Sequence, residues 1–486
     1  QGIESCLRLM LQSYLINVIA QGIGKVVSFG ANFFVFIFIA RLGGTELFGQ
    51  YSFVLAFLAV AVAVADFGMS QVLGKDIAQL QEAAPVYWGN YLFLRLVISL
   101  VVAAVAIIVA YQMRNDFLFS LVIGAFALPF LASRFFEPVY QVYDHPWFST
   151  YPSFAYGVSY IALSLAVFLL KGSLFWLIVS YCTANIIYFA VAFTASCKLL
   201  KPVFSINREM ILKILKIAAP LGVSSFFAIL GGRAAIFMLQ SMKSDHDVAI
   251  FNAAYKFIEL AAMAASMIVG PLIPIYSAKI IAEKENLRAE FSSTIEILAI
   301  LLVPCALICP FISHDLIALL YGKNFTASAP VLNVLAWVGV LIFYSLFFTS
   351  MAVSTGFVHF AYWDTAAGAI ISIALNYLLI PQYSSFGSAV TALVCEIFLL
   401  SVTGYFVIKY FGNVIRWHRW AKVALANTVL GGLLYFFAGY FPLFINLLTS
   451  LCLYGACVIL VKVIPKEEIT AFLINMRTAE RFKSGS

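Results

Sequence analysis

Charge is what this sequence has least of. Asp, Glu, Lys and Arg make up 10% of its 486 residues, where soluble domains carry about 25%, so a soluble globular chain is excluded. Histidine is rarer still: His145, His246, His314, His359 and His418 are scattered through loops and helix ends. There is no metal-spaced pair, nucleophile elbow or phosphate loop, so no catalytic residue, metal or cofactor is expected. No outside loop is long enough to form an extramembrane catalytic domain. The eight cysteines carry no metal spacing or disulfide framework and read as small core residues. No cleavable signal-peptide pattern is read, and the first span is expected to act as its own insertion signal.

What is present is apolar. Hydrophobic residues make up 63% of the chain, Phe alone occurs 46 times, and mean hydropathy is +1.00. Apolar runs of about 20 residues predict an all-α polytopic membrane protein with about 14 transmembrane helices. The spans are predicted near 14–40, 50–68, 86–111, 117–140, 151–170, 174–195, 217–240, 248–277, 295–313, 331–355, 359–380, 385–409, 421–440 and 443–463. A loop at 41–49 separates the first two. A basic stretch at 198–216 divides an N-terminal six-helix bundle, 1–197, from a C-terminal one, 217–409. Two more helices (410–464) and an interfacial tail (465–486) follow.

The net charge of +7 reads as orientation signal rather than nucleic-acid affinity. With the N-terminus inside, 19 of the 29 Lys and Arg fall on the cytoplasmic side, five outside and five within spans. That asymmetry supports both termini being cytoplasmic. Phe48-Gly-Gln-Tyr-Ser-Phe53 and Ile250-Phe-Asn-Ala-Ala-Tyr255 form a weak repeat between spans two and eight. Six spans per half make it a parallel repeat, for which binding at the repeat interface is expected.

The five intramembrane cations are Lys25, Arg95, Arg134, Arg233 and Lys256. A charge at mid-membrane costs roughly 2.5–3.5 kcal/mol even on the gentler insertion scale, so each marks a wet cavity or a counter-charge. Asn17, Gln21, Lys25, Ser28 and Asn32 share one helical face. Arg233 has Gln240 on its own face and no acid in its helix. Asn252, Lys256 and Glu259 form a third polar face, on which Lys256 and Glu259 can neutralise each other. Arg134 can pair with Glu137 in its helix. Asp66, at the end of span two, suits a cap or loop contact, and Asp66, Glu259 and Glu396 are the candidate coupling acids. Together the cations and the amides Asn17, Gln21, Asn32, Gln240 and Asn252 are candidate substrate ligands. A cationic cavity in a low dielectric concentrates anions, and the arginine fork suits phosphate.

Three longer stretches carry a family resemblance. Residues 39–52 read Ile-Ala-Arg-Leu-Gly-Gly-Thr-Glu-Leu-Phe-Gly-Gln-Tyr-Ser, followed by Asp66-Phe-Gly. Residues 316–325 read Leu-Ile-Ala-Leu-Leu-Tyr-Gly-Lys-Asn-Phe, and 376–389 read Asn-Tyr-Leu-Leu-Ile-Pro-Gln-Tyr-Ser-Ser-Phe-Gly-Ser-Ala. In order and spacing the chain resembles the Wzx-type polysaccharide flippases of the MOP exporter superfamily. It departs from them at Ser384-Ser385, where a Gly is common. The resemblance implies two six-helix bundles around a lumen lined by spans one, two, seven and eight, with spans thirteen and fourteen helping to form a groove for a lipid tail. It also implies a bacterial inner-membrane protein that flips undecaprenyl-pyrophosphate-linked oligosaccharide from the inner to the outer leaflet. Membrane lipid is a partner; a polysaccharide polymerase and chain-length proteins are candidate partners, and a monomer is expected.

Three rivals stand beside this reading, of which a channel would want a polar stripe on most pore helices, not on a few. A MATE-like multidrug antiporter favours cationic drugs, for which a lumen rich in Lys and Arg is wrong. A membrane-embedded polymerase or glycosyltransferase needs a large outside loop or a clustered acid–base set. Trp88, Tyr91, Trp337 and Tyr344 could stack on sugar rings, though most such aromatics serve packing.

Overall fold

The structure, a computed structural model, describes residues 2–80, 82–113, 116–131, 135–143, 145–270, 284–354, 358–412, 414, 416–437 and 443–460. Side chains are described within these except at 2–20, 146, 284–287, 353–354, 358–363, 437, 443–444, 446 and 459–460. Among the described residues every regular element is helical. In chain order these are α1 (Gly2–Asp66), α2 (Met69–Gln79), α3 (Ala84–Met113), α4 (Leu118–Phe126), α5 (Glu137–Val142), α6 (Thr150–Leu169), α7 (Leu174–Leu199) and α8 (Arg208–Met242). They continue with α9 (Asp245–Val269), α10 (Lys284–Tyr321), α11 (Ser328–Ser354), α12 (Val358–Phe411), α13 (Trp417–Phe437) and α14 (Leu443–Leu460).

Nine helices among the described residues are long and apolar enough to cross a membrane. Two of them, Gln21–Gln79 and Asp364–Phe411, run to 59 and 48 residues, far beyond the ~20 a bilayer requires. The first is broken within α1 and again at Phe67-Gly68, where α1 gives way to α2; the second is broken within α12. The break in α1 falls at Gly44, with φ 73° and ψ −169°, a region essentially closed to residues with a Cβ. The expected loop 41–49 is therefore helical on both sides of one glycine. The break in α12 falls at Ser384, φ 48° and ψ −131°, the position where the sequence departs from the usual Gly.

Two boundaries differ from expectation for reasons the chain makes plain. The span expected at 117–140 is not one helix: α4 ends at Phe126, a 3-10 turn runs Leu128–Phe130, and α5 starts at Glu137. Pro129 lacks an N–H and its ring crowds the carbonyl four residues back, while Pro138 sits in the first turn of α5, where a proline is tolerated. The basic stretch 198–216 is mostly helix, and only 200–207 is extended. The Asn207 side chain accepts from the backbone N–H of Glu209 and Met210, an N-cap that starts α8 early. Asn90 holds the extended stretch, donating to the Ser205 carbonyl at 2.8 Å and accepting from the Asn207 N–H at 3.2 Å.

The chain divides into two compact units, one of 16–252 with 365–384, the other of 1–15, 253–364 and 385–486. The second has a core of stacked rings: Phe291 lies 4.8 Å from Phe347, 5.5 Å from Phe348 and 5.9 Å from Phe411 between centroids. In the same unit Ala426, Leu430, Leu434 and Tyr454 join α13 to α14, and the Tyr454 hydroxyl donates to the Ile300 carbonyl at 2.9 Å. The first unit carries most of the polar residues singled out from sequence.

Candidate functional site

The first turns of α1 that have described side chains present Gln21, Lys25, Ser28 and Asn32, all half-buried. Asn32 is engaged: it donates to the Ser28 carbonyl at 2.7 Å and accepts from the Tyr156 hydroxyl of α6 at 3.1 Å. Lys25 makes no ion pair with a described residue. The helix around it packs closely on α6: at Gly24 a Cβ would meet Ser153 Oγ at 3.0 Å. Asn17 belongs to α1, but its side chain lies outside the described residues, as does Arg134 entirely.

Behind the stripe lies a tyrosine cluster that residue spacing did not flag. Tyr51 and Tyr160 share a hydroxyl–hydroxyl hydrogen bond. Tyr156 stacks on Tyr160 with centroids 5.4 Å apart, and Tyr181 meets Tyr160 edge-on at 5.8 Å. Tyr181 is also within electrostatic reach of Arg233 on α8, and Arg233 is half-buried. Asn32, these tyrosines and Arg233 thus form a linked polar seam through spanning helices of one unit. The signal available in sequence was the four-residue spacing of Tyr156 and Tyr160, which puts both on one face.

Several candidate ligands turn out to have structural partners. Arg95, only 4% exposed, donates through Nη1 to Asp66 at 2.6 Å, and its guanidinium lies 4.6 Å from the Phe135 ring centre. Asp66 also accepts from the Ser70 hydroxyl and backbone N–H, so it combines a cap with a charge pair. Lys256 pairs with Glu259 one turn on, at 2.8 Å. Asn252, 2% exposed, donates to Ser52 Oγ at 2.7 Å. Gln240 donates to Asp245 Oδ1, whose other oxygen accepts from Gln50 at 2.9 Å. Inside a bilayer a polar side chain is cheapest when it is answered, by another helix for Arg95, Asn252 and Gln240 and by its own helix for Lys256. Glu396, half-buried on α12, faces Ser345 of α11. Trp88 and Tyr91 are fully buried, and Trp88 stacks on Phe135, so neither is open to a sugar.

Two close backbone approaches tie α1 and α2 to α8 and α9 within this unit. At Gly49 a Cβ would stand 2.0 Å from the Asp245 carbonyl oxygen. At Gly68, φ 76°, it would stand 2.5 Å from the Gly222 nitrogen and 2.6 Å from the Ala218 oxygen. Gln71 then reaches Ser225 Oγ at 2.8 Å. The segments juxtaposed here are those the weak repeat had paired, with Ser52 facing Asn252.

The family model of polysaccharide biosynthesis proteins matches residues 14–280. The teichuronic acid biosynthesis protein TuaB of Bacillus subtilis (strain 168) is 24% identical over 336 residues, covering 65% of this chain and 66% of that protein, just under two thirds of its length. Among solved structures, the lipid II flippase MurJ in its inward closed conformation superposes with a TM-score of 0.72 at 12% identity, covering 91% of this chain and 99% of that one. An inward-facing MATE multidrug resistance transporter of the MOP superfamily superposes at 0.62 and 14% identity, covering 82% and 98%.

Proposed function

The chain belongs to the polysaccharide biosynthesis protein family and has the all-α fold of MOP-superfamily transporters; from that premise we propose that it is a flippase for lipid-linked saccharide. The finer reading is that it carries undecaprenyl-pyrophosphate-linked oligosaccharide repeat units across the bacterial inner membrane, both termini being cytoplasmic. The motion is alternating access between the bundles 1–197 and 217–409. It is a membrane transporter and not an enzyme.

One observation carries the substrate class. Lys25 stands half-buried on the polar stripe of the first spanning helix, beside Asn32 and the tyrosine seam, with no ion pair to a described residue. A cation so placed needs water, a counter-charge or a visiting anion to answer it, and the anion is the reading we take. We assign Lys25, with Arg233, to a diphosphate headgroup, with Gln21 as a neutral donor. Asn17, Arg134 and Glu396 stay in the proposal untried. Arg95, Asp66, Lys256, Asn252 and Gln240 are given to the scaffold. Lys25 also disfavours the multidrug reading, since a cation there repels cationic drugs.

Deleting the protein in its native cell tests the reading. Lipid-linked oligosaccharide should accumulate on the cytoplasmic leaflet with its repeat unit complete. Accumulation of incomplete repeat units would point instead to a glycosyltransferase. Complete units reaching the outer leaflet at the normal rate would remove the flippase assignment.

A further inference from the structure

The most concentrated charge in the second unit takes no part in the scheme above. Glu296 on α10 is 1% exposed. Arg416, just before α13, grips both its oxygens, through Nε at 2.8 Å and Nη2 at 2.7 Å. Arg419, in the first turn of α13, adds a contact at 3.3 Å. Arg416 also donates to Ser293 at 2.9 Å. A third guanidinium, that of Arg288, lies against Gly412 where α12 ends. Along 284–296 and 409–422 the sequence sets six Lys and Arg against three Glu, so the corner stays cationic however its members pair. Arg416 and Arg419 keep 24% and 16% of their side-chain surface, and Arg288 is exposed.

The corner stands where three apolar helices end together: the start of α10, the end of α12 and the start of α13. Below it the outward surface is apolar, with Tyr405, Ile408, Trp417 and Leu425 all exposed. α12 is long and apolar enough to cross a membrane, so Tyr405 and Ile408 on it can meet acyl chains, and Trp suits the level of the headgroups. Basic pockets between membrane helices hold phosphate headgroups, and the guanidinium fork can offer two donors to one phosphate.

We propose that the Arg288–Arg416–Arg419 corner is a binding site for an anionic phospholipid, its phosphate on the arginines and its chains along α12 and α13. Glu296 holds Arg416 in place for this purpose. The site is separate from the lipid-linked substrate and does not rest on the flippase reading. An anionic lipid here fastens α13 to α10 and α12.

The test is thermal unfolding of the purified full chain in detergent, titrated with phosphatidylglycerol, phosphatidylcholine or free glycerol phosphate. Phosphatidylglycerol should raise the unfolding temperature at much lower concentration than phosphatidylcholine, and glycerol phosphate should have no effect. Arg288→Gln should weaken the phosphatidylglycerol response about fivefold, and Arg288→Gln with Arg419→Gln about 25-fold. Arg288→Gln leaves the contacts to Glu296 in place, so it decides the matter if the double variant fails to fold. Equal responses to the two lipids would overturn the proposal. So would a matching response to glycerol phosphate, or an unchanged phosphatidylglycerol response in Arg288→Gln.

Discussion

Replacing Gly68 by Ala should prise α2 from α8. Gly68 sits at φ 76°, ψ 3°, where a residue with a Cβ pays about 1–2 kcal/mol. Its new methyl would lie 2.5 Å from the Gly222 nitrogen, 2.6 Å from the Ala218 oxygen and 3.0 Å from the Leu221 carbonyl carbon. All three are backbone atoms and cannot rotate aside, and shifting backbone to relieve overpacking costs about 1–3 kcal/mol. The sum, on the order of 3 kcal/mol, corresponds to a roughly hundredfold shift against the closed contact. Gln71 and Ser225, 2.8 Å apart, report it. With the eight native cysteines replaced by Ser, a Gln71→Cys/Ser225→Cys pair should be joined readily by a short bifunctional thiol crosslinker. Adding Gly68→Ala should slow that crosslinking by about two orders of magnitude. Gly30→Ala is the control, since a Cβ there meets nothing within 4 Å. A folded Gly68→Ala protein that crosslinks as fast as the control would refute the reasoning.

Other outcomes follow from single contacts. Asp66→Asn leaves Arg95 buried without its counter-charge and should cost about 3–5 kcal/mol; thermal unfolding in detergent should show a large drop, partly recovered when Arg95→Met is added. Ser384→Gly relieves a positive φ worth about 1–2 kcal/mol but removes the hydrogen bond to Asp247, worth about 1 kcal/mol; it should be nearly neutral. Ser384→Val loses the bond and keeps the strain, and should unfold several degrees lower. Tyr160→Phe removes the partner of the buried Tyr51 hydroxyl and should cost about 1–3 kcal/mol in the same assay.

How far the sequence revealed the molecule depended on the range of the interaction. Long apolar runs reported helices because that signal is local, and the polar stripe of α1 needed only the helical period. The partner of Arg95 was invisible for the opposite reason: Asp66 lies 29 residues away across a helix break, and nothing local links them. Asn252 looked like a cavity ligand because the spacing that puts a residue on a polar face cannot say whether another helix covers it. The breaks were legible in part. Gly43-Gly44 and Pro129 mark them, but whether a break becomes a loop or a single-residue turn is set by packing. α2 is not among the expected spans although its buried Met69, Val72, Leu73 and Ile77 keep helical spacing, because its 11 residues are too few to cross a bilayer.

The most direct measurement is transport itself, with purified protein in vesicles and a fluorescent diphosphate-linked polyprenyl oligosaccharide added to one leaflet. We expect Lys25→Ala and Arg233→Ala each to abolish transfer to the other leaflet, with unfolding temperatures near that of the parent and Lys25→Arg retaining activity. Full transfer by folded Lys25→Ala and Arg233→Ala variants would contradict a cationic headgroup site.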